Sequence, residues 1–346
     1  MRRLPGWLPR VAIWPLAVLV NIIAAGTASA HVKWFCAYDQ AGQPRGLENV
    51  LCPDFEFLVG LSILGLMAGA LFEGTTIGAA MLRAIDRATR LLYENSELVL
   101  RAACGFFFIS IWAVGGVLLT PELKTSAPIV GAIHLGIAAS MLSRRTMPLG
   151  GLGIATLFAI ATWQYGAFHL ADYPIFLGVA GYLVLVGLGK DELFGMRPVD
   201  VLRWTAGITL MWASIEKWAY PEWSFPLLLT HPRLTLGLDP EFYMRAAGAV
   251  EFALAFALIW TPLVRRVAAV MLTGMFVSAV AEFGKIDMIG HTLIVAVLLA
   301  LIADRGSEHK LVRHPWLAPV GYASALAAFL SLYYVAHAAI YGTSVL

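Results

Sequence analysis

Ten long apolar stretches, separated by short polar connectors, run through most of this 346-residue sequence. They lie at approximately 57–80, 99–119, 128–143, 149–168, 174–189, 203–219, 242–261, 267–284, 288–303 and 316–341. About 20 apolar residues in a helix cross the hydrocarbon core of a bilayer, and a helix satisfies its own backbone hydrogen bonds there. The sequence therefore predicts an all-α fold, a polytopic transmembrane helix bundle of ten spans.

The scarcity of charge excludes the other broad classes of protein. Only 13% of the residues are charged and 60% are hydrophobic, with a mean hydropathy of +0.77. An ordinary soluble domain carries about 25% charged residues. Soluble globular proteins, disordered chains and nucleic-acid modules all need more surface charge. We therefore expect the lipid bilayer as a partner and no nucleic acid.

The first 30 residues have the features of a secretory signal peptide. Basic residues at positions 2, 3 and 10 precede an apolar stretch that ends in Ala28-Ser29-Ala30, a typical small-residue cleavage site. Cleavage there would leave His31 as the first residue. The alternative is an uncleaved anchor helix, because an apolar stretch of this length can span a bilayer.

The segment 31–56 is polar and is expected on the extracytoplasmic (periplasmic) side. Cys36 and Cys52 both lie in it. Because that compartment is oxidising, the expectation is a disulfide between them rather than two free thiols.

Basic residues set the predicted orientation. Most of the 24 Lys and Arg residues, including Arg144-Arg145 and Arg265-Arg266, fall in connectors on the same side as the amino terminus. This bias predicts a bacterial-type cytoplasmic (inner) membrane protein, with the segment after residue 30 and the carboxyl terminus on the outer side. Aromatic residues crowd one outer helix end and are interpreted as an interfacial belt: Trp204, Trp212, Trp218, Tyr220 and Trp223.

An internal repeat organises the predicted spans. The stretch 101–105 matches 203–207, and the stretch 131–135 matches 248–252. An Arg-Arg pair follows both 131–135 and 248–252. Two four-helix repeats are therefore expected, at 99–189 and 203–304. An even number of spans makes them parallel repeats, related by an axis along the membrane normal. The remaining parts are a first span with its inner loop at 57–98 and a final span at 316–341.

Ionisable residues inside predicted spans are functional candidates, because burying a charge in a bilayer is costly. Glu251 stands near the middle of the helix 242–261, surrounded by apolar residues. His134 occupies the matching position of the first repeat. A pseudo-symmetric bundle would bring the two side chains toward one interface. The alternative role for Glu251 is that of a structural carboxyl group, protonated or paired inside the bundle.

A second group of ionisable residues falls at the outer helix ends. Its members are Glu216, Lys217, Glu282, Lys285, Asp287 and His291, with His169 and Asp172 in the matching connector of the first repeat. Buried carboxylates and histidines can titrate near neutral pH. The group suits proton exchange between the outer aqueous phase and a lipid-borne redox ligand, and it suits an ion or substrate path equally well.

The second repeat resembles the DoxX-like family of small four-helix membrane proteins, which includes DoxD and MauE relatives. The resemblance rests on Arg203-x-x-x-Gly207, Glu216-Lys217, Gly248-x-x-Glu251 and the junction Arg265-Arg266-x-Ala268-Ala269. It covers about 100 residues well and a further 90 or so weakly. It implies a role in a membrane redox complex, with thiosulfate to quinone electron transfer in the DoxD case.

By this resemblance, Lys217 and Glu251 are the positions expected to act. The first repeat departs from the family pattern, because His134 replaces the Glu and Gly115-Gly116 stand where the Lys should be.

Three functions remain open from the sequence. The first is a subunit of a quinone-linked redox system in which Glu251 relays protons, with Lys217 and Glu216 beside it and His134, His291, Glu282 and Asp287 near the quinone. The second is a proton-coupled or ion and small-solute transporter with its site at the repeat interface. The third is a copper-binding protein, since the amine and imidazole of a mature amino-terminal His31 can chelate one metal. The sequence contains no nucleotide-binding loop and no complete catalytic constellation, so enzymatic activity stays open.

Overall fold

The computed structural model describes residues 32–306, 314 and 316–345. Within these residues the chain is helical and contains no β-strand, only two isolated bridges. The helices, in chain order, are α1 (Leu47–Val50), α2 (Pro53–Glu73), α3 (Thr76–Ala88), α4 (Arg90–Glu94), α5 (Ser96–Val114), α6 (Ile129–Ser140), α7 (Met147–Tyr165), α8 (Ala167–Leu170), α9 (Pro174–Gly187), α10 (Pro198–Ala219), α11 (Phe225–Thr230), α12 (Pro240–Leu258), α13 (Pro262–Phe283), α14 (Lys285–Ala303) and α15 (Leu317–Tyr341). The prediction of an all-α fold is confirmed.

Six helices, α2, α5, α7, α13, α14 and α15, are long and apolar enough to cross a membrane by their length and composition. This indicates a multi-pass membrane protein. Two further apolar helices, α6 and α9, have only 12 and 14 residues. Helices α10 and α12 are long but carry more charge, including Glu216, Lys217 and Glu251. Each of the ten apolar stretches thus contains a helix, and six of the ten have the composition of a span.

Eight helices contact each other in a closed series. The order of neighbours is α5, α6, α7, α9, α10, α12, α13, α14 and back to α5. Helices α2 and α15 pack against each other and lie over α12, with α2 also contacting α13 and α15 also contacting α10. One hydrophobic core of buried side chains runs through this bundle.

Ionic contacts mark two opposite ends of the bundle. At the first, the amino-terminal segment 32–52 is held by Lys33 and by Arg45, whose guanidinium binds Glu241 at the start of α12. We call this the Lys33 end. At the opposite end, Asp304 follows α14 and binds Arg197 before α10 and Arg265 in α13. We call this the Asp304 end.

The Asp304 end is closed by a network of arginines. Arg197 donates two hydrogen bonds of 3.0 and 3.1 Å to the two carboxylate oxygens of Asp304. Arg265 lies 3.2 Å from the same carboxylate and is almost fully buried. The Arg266 guanidinium binds the Asp304 carbonyl and the Asp86 carboxylate, the latter at 2.6 Å. The Arg265-Arg266 pair therefore joins helix ends instead of lying free in a solvated loop.

The structure corrects two expectations. Cys36 and Cys52 are both free thiols and are not bridged. Cys52 lies at the N-cap of α2, whereas Cys36 hydrogen-bonds with the Leu227 backbone in α11. The aromatic residues expected to form an interfacial belt are mostly buried, because they pack between helices at the Lys33 end. Only Trp204 is exposed; the buried ones are Trp212, Trp218, Tyr220 and Trp223.

Candidate functional site

A lysine from the amino-terminal segment is buried between two carboxylates at the Lys33 end. Lys33 lies in a single 3₁₀ turn, Val32–Trp34, and only 3% of it is exposed. Its Nζ donates to Asp172 Oδ2 at 2.5 Å and to Glu216 Oε1 at 2.7 Å. Asp172 comes from the connector between α8 and α9, and Glu216 comes from the last turns of α10. We call these three residues the Lys33 cluster.

Hydrogen bonds to its backbone groups hold the amino-terminal segment that carries Lys33. Tyr334 Oη donates to the Arg45 carbonyl at 2.7 Å, and the Arg45 amide donates to the Ala219 carbonyl at 2.8 Å. Tyr220 Oη donates to the Gly42 carbonyl at 2.7 Å. Because both α10 and α15 provide partners for these hydrogen bonds, the segment is fixed against the Lys33 end of the bundle. Lys33 reaches its two carboxylates from this segment.

Aromatic rings close the cluster from the sides. Lys33 Nζ lies 5.6 Å from the Tyr38 ring centre and 5.7 Å from the Trp223 ring centre, within the range of a cation–π contact. Trp223 in turn stacks on Tyr220 at 4.1 Å. The rings shield the ammonium from water, so the charges of the cluster interact in a medium of low dielectric constant.

The charges of the cluster do not balance when all three groups are ionised. One ammonium faces two carboxylates, and a third carboxyl, Glu122, lies near Asp172 with its oxygen hydrogen-bonded to Tyr173. Burial and the neighbouring Glu216 raise the pKa of Asp172 to about 8, although Lys33 opposes the shift. The two carboxylates hold the pKa of Lys33 above its ordinary value despite its burial. The cluster therefore favours one bound proton on Asp172 and a charged Lys33.

The second oxygen of Asp172 supports this protonation state. Oδ1 is buried and has no hydrogen-bond partner within residues 32–306, 314 and 316–345. An ionised carboxylate oxygen buried without a donor is costly, and a bound proton lowers that cost.

His169 lies beside the cluster and stays neutral. Its ring packs against Tyr38, Tyr165 and Tyr173 at centre distances of 5.7, 5.7 and 6.3 Å. Burial, helped by the charge of Lys33, lowers the pKa of His169 to about 3. Burial raises the pKa of Tyr38 to about 12. Because these rings stay neutral, the charges of this site are those of Lys33 and the carboxyl groups.

A second ion pair lies next to the cluster along α10. Lys217 Nζ is 2.6 Å from Glu251 Oε2 in α12, with the side chains 14% and 7% exposed. Successive helix residues point about 100° apart, so Glu216 turns to Lys33 while Lys217 turns to Glu251. A small cavity beside Lys217, lined also by Arg45, Trp218 and Arg245, has room for about one water molecule.

A third pair, Asp287 and His291, occupies the first turns of α14. His291 Nδ1 lies 3.0 Å from Asp287 Oδ2, and Asp287 is fully buried. The Trp34 ring packs on His291 at 4.9 Å, and Phe276 packs on it at 4.6 Å. The turn that inserts Lys33 into one pair of carboxylates thus also covers the imidazole on α14.

The other sequence candidates lie apart from these pairs. Glu282 is half-exposed and sits 4.0 Å from His231. His134 Nε2 lies 2.8 Å from the Leu118 carbonyl, and its ring packs on Phe108. The structure thus ties His134 to the loop between α5 and α6, while it joins Glu251 to Lys217. His31 lies outside the described residues.

The described part of the chain contains no group of three His, Cys, Asp or Glu side chains that could hold a metal ion. The Lys33 cluster and the two pairs offer groups suited to acid and base chemistry, because each contains a buried carboxyl group next to a proton donor. The sequence interpretation missed Lys33, although it placed Asp172 and Glu216 among the outer polar residues. The one local signal was the aromatic pair Trp34-Phe35 directly after Lys33, in a segment otherwise polar.

No family model, no curated protein and no solved structure matches this chain.

Proposed function

We propose that this chain is a membrane protein that binds and releases protons at its Lys33 end, as a subunit of a quinone-linked redox system. The observation that carries the proposal is the burial of Lys33 between Asp172 and Glu216. In a buried cluster of one cation and two carboxyl groups, the pKa of a carboxyl group can lie near neutral pH. Small changes in its surroundings then cause it to bind or release a proton.

The proposed route leads from the cluster to Glu251. Glu216 and Lys217 are adjacent in α10, and Lys217 pairs with Glu251, which lies in the interior of α12. A water in the small cavity at Lys217 would connect that pair to the Lys33 end. Glu251 is then the carboxylate that relays a proton toward a ligand in the lipid phase. The resemblance to DoxX-like proteins favours the same two residues.

We further propose that all ten helices α2, α5, α6, α7, α9, α10, α12, α13, α14 and α15 span the membrane, with the Lys33 end outside. Two parallel four-helix repeats are supported by matched contacts. A Cβ at Gly105 would lie near the Ala138 carbonyl, and a Cβ at Gly207 would lie near the Ala255 carbonyl, which are equivalent positions. Gly166 after α7 and Gly284 after α13 also both have positive φ, at 86° and 74°.

The test is a comparison of purified wild type with Glu251→Gln and with the matched control Glu222→Gln, an exposed carboxylate near the Lys33 end. Extraction and mass spectrometry would identify bound quinone. In proteoliposomes, a pH-sensitive dye would follow proton uptake when an added chemical reductant supplies the two electrons that convert the quinone to quinol. We expect co-purified quinone, and proton uptake that is lost in Glu251→Gln and kept in Glu222→Gln. Absence of quinone together with wild-type proton uptake in Glu251→Gln would contradict the proposal.

A transporter is the second candidate, and one observation favours it. Lys33 joins Asp172 from the helices of the first proposed repeat to Glu216 from the second. Parallel-repeat transporters bind their substrate at that interface. Proton-coupled solute flux into proteoliposomes that stops in Glu216→Gln would support this function, and no flux of any tested ion or solute would contradict it.

A further inference from the structure

Helix α3 differs from the bundle helices in that most of its surface is exposed. It follows α2 after a tight turn, in which Thr75 Oγ1 accepts a hydrogen bond from the Gly78 amide at 3.0 Å. A Cβ at Gly78 would lie 2.3 Å from the Phe72 carbonyl, so only glycine allows this close approach. The turn therefore fixes the direction in which α3 leaves the end of α2.

One face of α3 is tied to the bundle at the Asp304 end. Asp86 accepts a hydrogen bond from Arg266 Nη1 at 2.6 Å, and Arg305 Nη2 donates to the Asp86 carbonyl at 2.7 Å. Just before α3, Glu73 accepts hydrogen bonds from Thr261 Oγ1 at 2.6 Å and from the Leu263 amide at 2.9 Å. The orientation of α3 about its own axis is therefore set.

A second face of α3 is apolar and uncovered. Ile77, Met81, Ala84 and Ala88 recur at the spacing of one helix face. Ile77 is 66% exposed and Met81 is 40% exposed. Directly before α3 in the chain, the end of α2, a helix with the composition of a membrane span, also exposes the apolar side chains of Leu71 and Phe72. This adjacency to the end of a membrane span favours lipid as the occupant of the face.

A third face is basic. Arg83 and Arg87 are exposed and lie on one side of α3, centred about 110° around the axis from the apolar face at 100° per residue. Arg90 follows in α4, where it pairs with Glu94 at 2.9 Å. The apolar and the basic side chains thus occupy separate faces of α3. Such an arrangement is typical of a helix that lies in the membrane interface.

We propose that α3 lies in the plane of the membrane–water interface and that Arg83 and Arg87 bind the headgroups of anionic phospholipids. The apolar face enters the acyl region, and the two guanidiniums reach the phosphates at its edge. Because Asp86 links α3 to Arg266, a lipid bound there stabilises the arginine network at the Asp304 end.

The experiment uses full-length protein that is delipidated in mild detergent and then titrated with phosphatidylglycerol or with phosphatidylcholine. Native mass spectrometry counts bound lipids, and the thermal midpoint Tm is measured in parallel. We expect the wild type to prefer phosphatidylglycerol by about 25-fold, since each of the two arginines near an anionic surface contributes about a factor of five. In Arg83→Gln/Arg87→Gln the preference should fall to about twofold or less.

The control is Lys124→Gln/Arg233→Gln, which removes two exposed basic residues at the opposite, Lys33 end of the bundle. It should keep the preference of the wild type. An equal loss in both double variants, or an unchanged preference in Arg83→Gln/Arg87→Gln, would overturn the assignment of the site to α3.

A second measurement tests the in-plane position without relying on affinity. In a Cys36→Ser/Cys52→Ser background, a fluorophore attached at Met81→Cys or at Arg87→Cys is quenched by doxyl-labelled lipid in one sample and by iodide in water in another. We expect lipid quenching to dominate at position 81 and iodide quenching to dominate at position 87. Strong iodide quenching at both positions would overturn the proposal.

Discussion

Lys33 Nζ lies 2.5 Å from Asp172 Oδ2, although the two residues are 139 positions apart in the chain, and both side chains are fully buried. The pair joins the amino-terminal segment to the connector between α8 and α9. Glu216 completes the cluster from α10 at 2.7 Å. One ammonium group therefore holds together three separate parts of the sequence.

Removal of that ammonium should be strongly destabilising. In Lys33→Met two carboxyls remain buried without their cation, and breaking a buried ion pair by removing one partner costs about 3–5 kcal/mol. We expect a clear fall in the free energy of unfolding, measured by denaturant titration in detergent. Lys285→Met, which removes an exposed lysine at the same end, should have little effect.

The triple variant Lys33→Met/Asp172→Asn/Glu216→Gln separates charge from packing. Because no uncompensated charge remains, it should recover much of the stability lost in Lys33→Met. A triple variant less stable than Lys33→Met would show that the three groups do not interact as a cluster.

The pH dependence of stability should carry the signature of Asp172. Its pKa is raised to about 8 in the folded protein, against an ordinary value of 3.8, so the folded state binds this proton more tightly than the unfolded state. The stabilisation from Asp172 is then complete below about pH 4 and is lost as the pH rises to about 8.

The measurement is Tm against pH for wild type and for Asp172→Asn. His169 has a lowered pKa of about 3, so its contribution has the opposite sign: it is present above about pH 6.5 and is lost as the pH falls. It is the same in both proteins, and the difference between them isolates Asp172. We expect the Tm of the wild type to fall relative to Asp172→Asn between about pH 5 and pH 8. A constant difference across that range would contradict this assignment.

The Lys217–Glu251 pair should show strong coupling in a double-mutant cycle. Lys217→Met leaves Glu251 buried without its partner, whereas Glu251→Gln keeps a polar amide beside Lys217. We expect Lys217→Met to be the more destabilising change, and a coupling energy of about 1–3 kcal/mol in the cycle. Additive effects of the two changes would mean that the 2.6 Å contact contributes nothing to stability.

Gly290 should be essential for seating the turn that carries Lys33. A Cβ at Gly290 would lie 2.0 Å from Trp34 Cη2, whereas a Cβ at Gly274 in α13 meets nothing within 4 Å. Gly290→Ala should therefore cost about 1–3 kcal/mol by overpacking, while Gly274→Ala should be neutral or slightly stabilising.

The readout for Gly290→Ala is the labelling rate of the Cys36 thiol by a maleimide in a Cys52→Ser background. Cys36 lies two residues after Trp34, and the remaining Cys104 is fully buried. Displacement of the turn should accelerate labelling in Gly290→Ala only. Equal rates in both alanine variants would show that Trp34 accommodates the added methyl group without moving.

Most of the helical architecture was predictable from the sequence, because apolar stretches of span length permit few other folds. Each predicted stretch contains a helix, but the ends differ: α6 stops at Ser140 and is only 12 residues long. The loop before it supplies buried residues such as Leu118 and Leu123 in its place. Hydropathy alone does not distinguish a helical apolar residue from a buried loop residue.

The site was predictable only in part. Glu251 and Lys217 stood out because an ionisable group in an apolar helix is costly, and the structure pairs them. Lys33 had no such signal, since it lies in a polar segment and its partners are 139 and 183 residues away. Likewise Trp218 and Trp223 have the composition of an interfacial belt, and only the packing of the amino-terminal segment shows that they are buried.

The proposed function depends on an exchangeable proton that the Lys33 cluster holds on Asp172. Infrared difference spectroscopy of the protein in lipid membranes detects protonated carboxyls directly through their carbonyl stretching band. We expect a band in the wild type that disappears as the pH rises through about 8 and that is missing in Asp172→Asn. A wild type without a pH-dependent carboxyl band, or an unchanged band in Asp172→Asn, would show that Asp172 does not hold this proton.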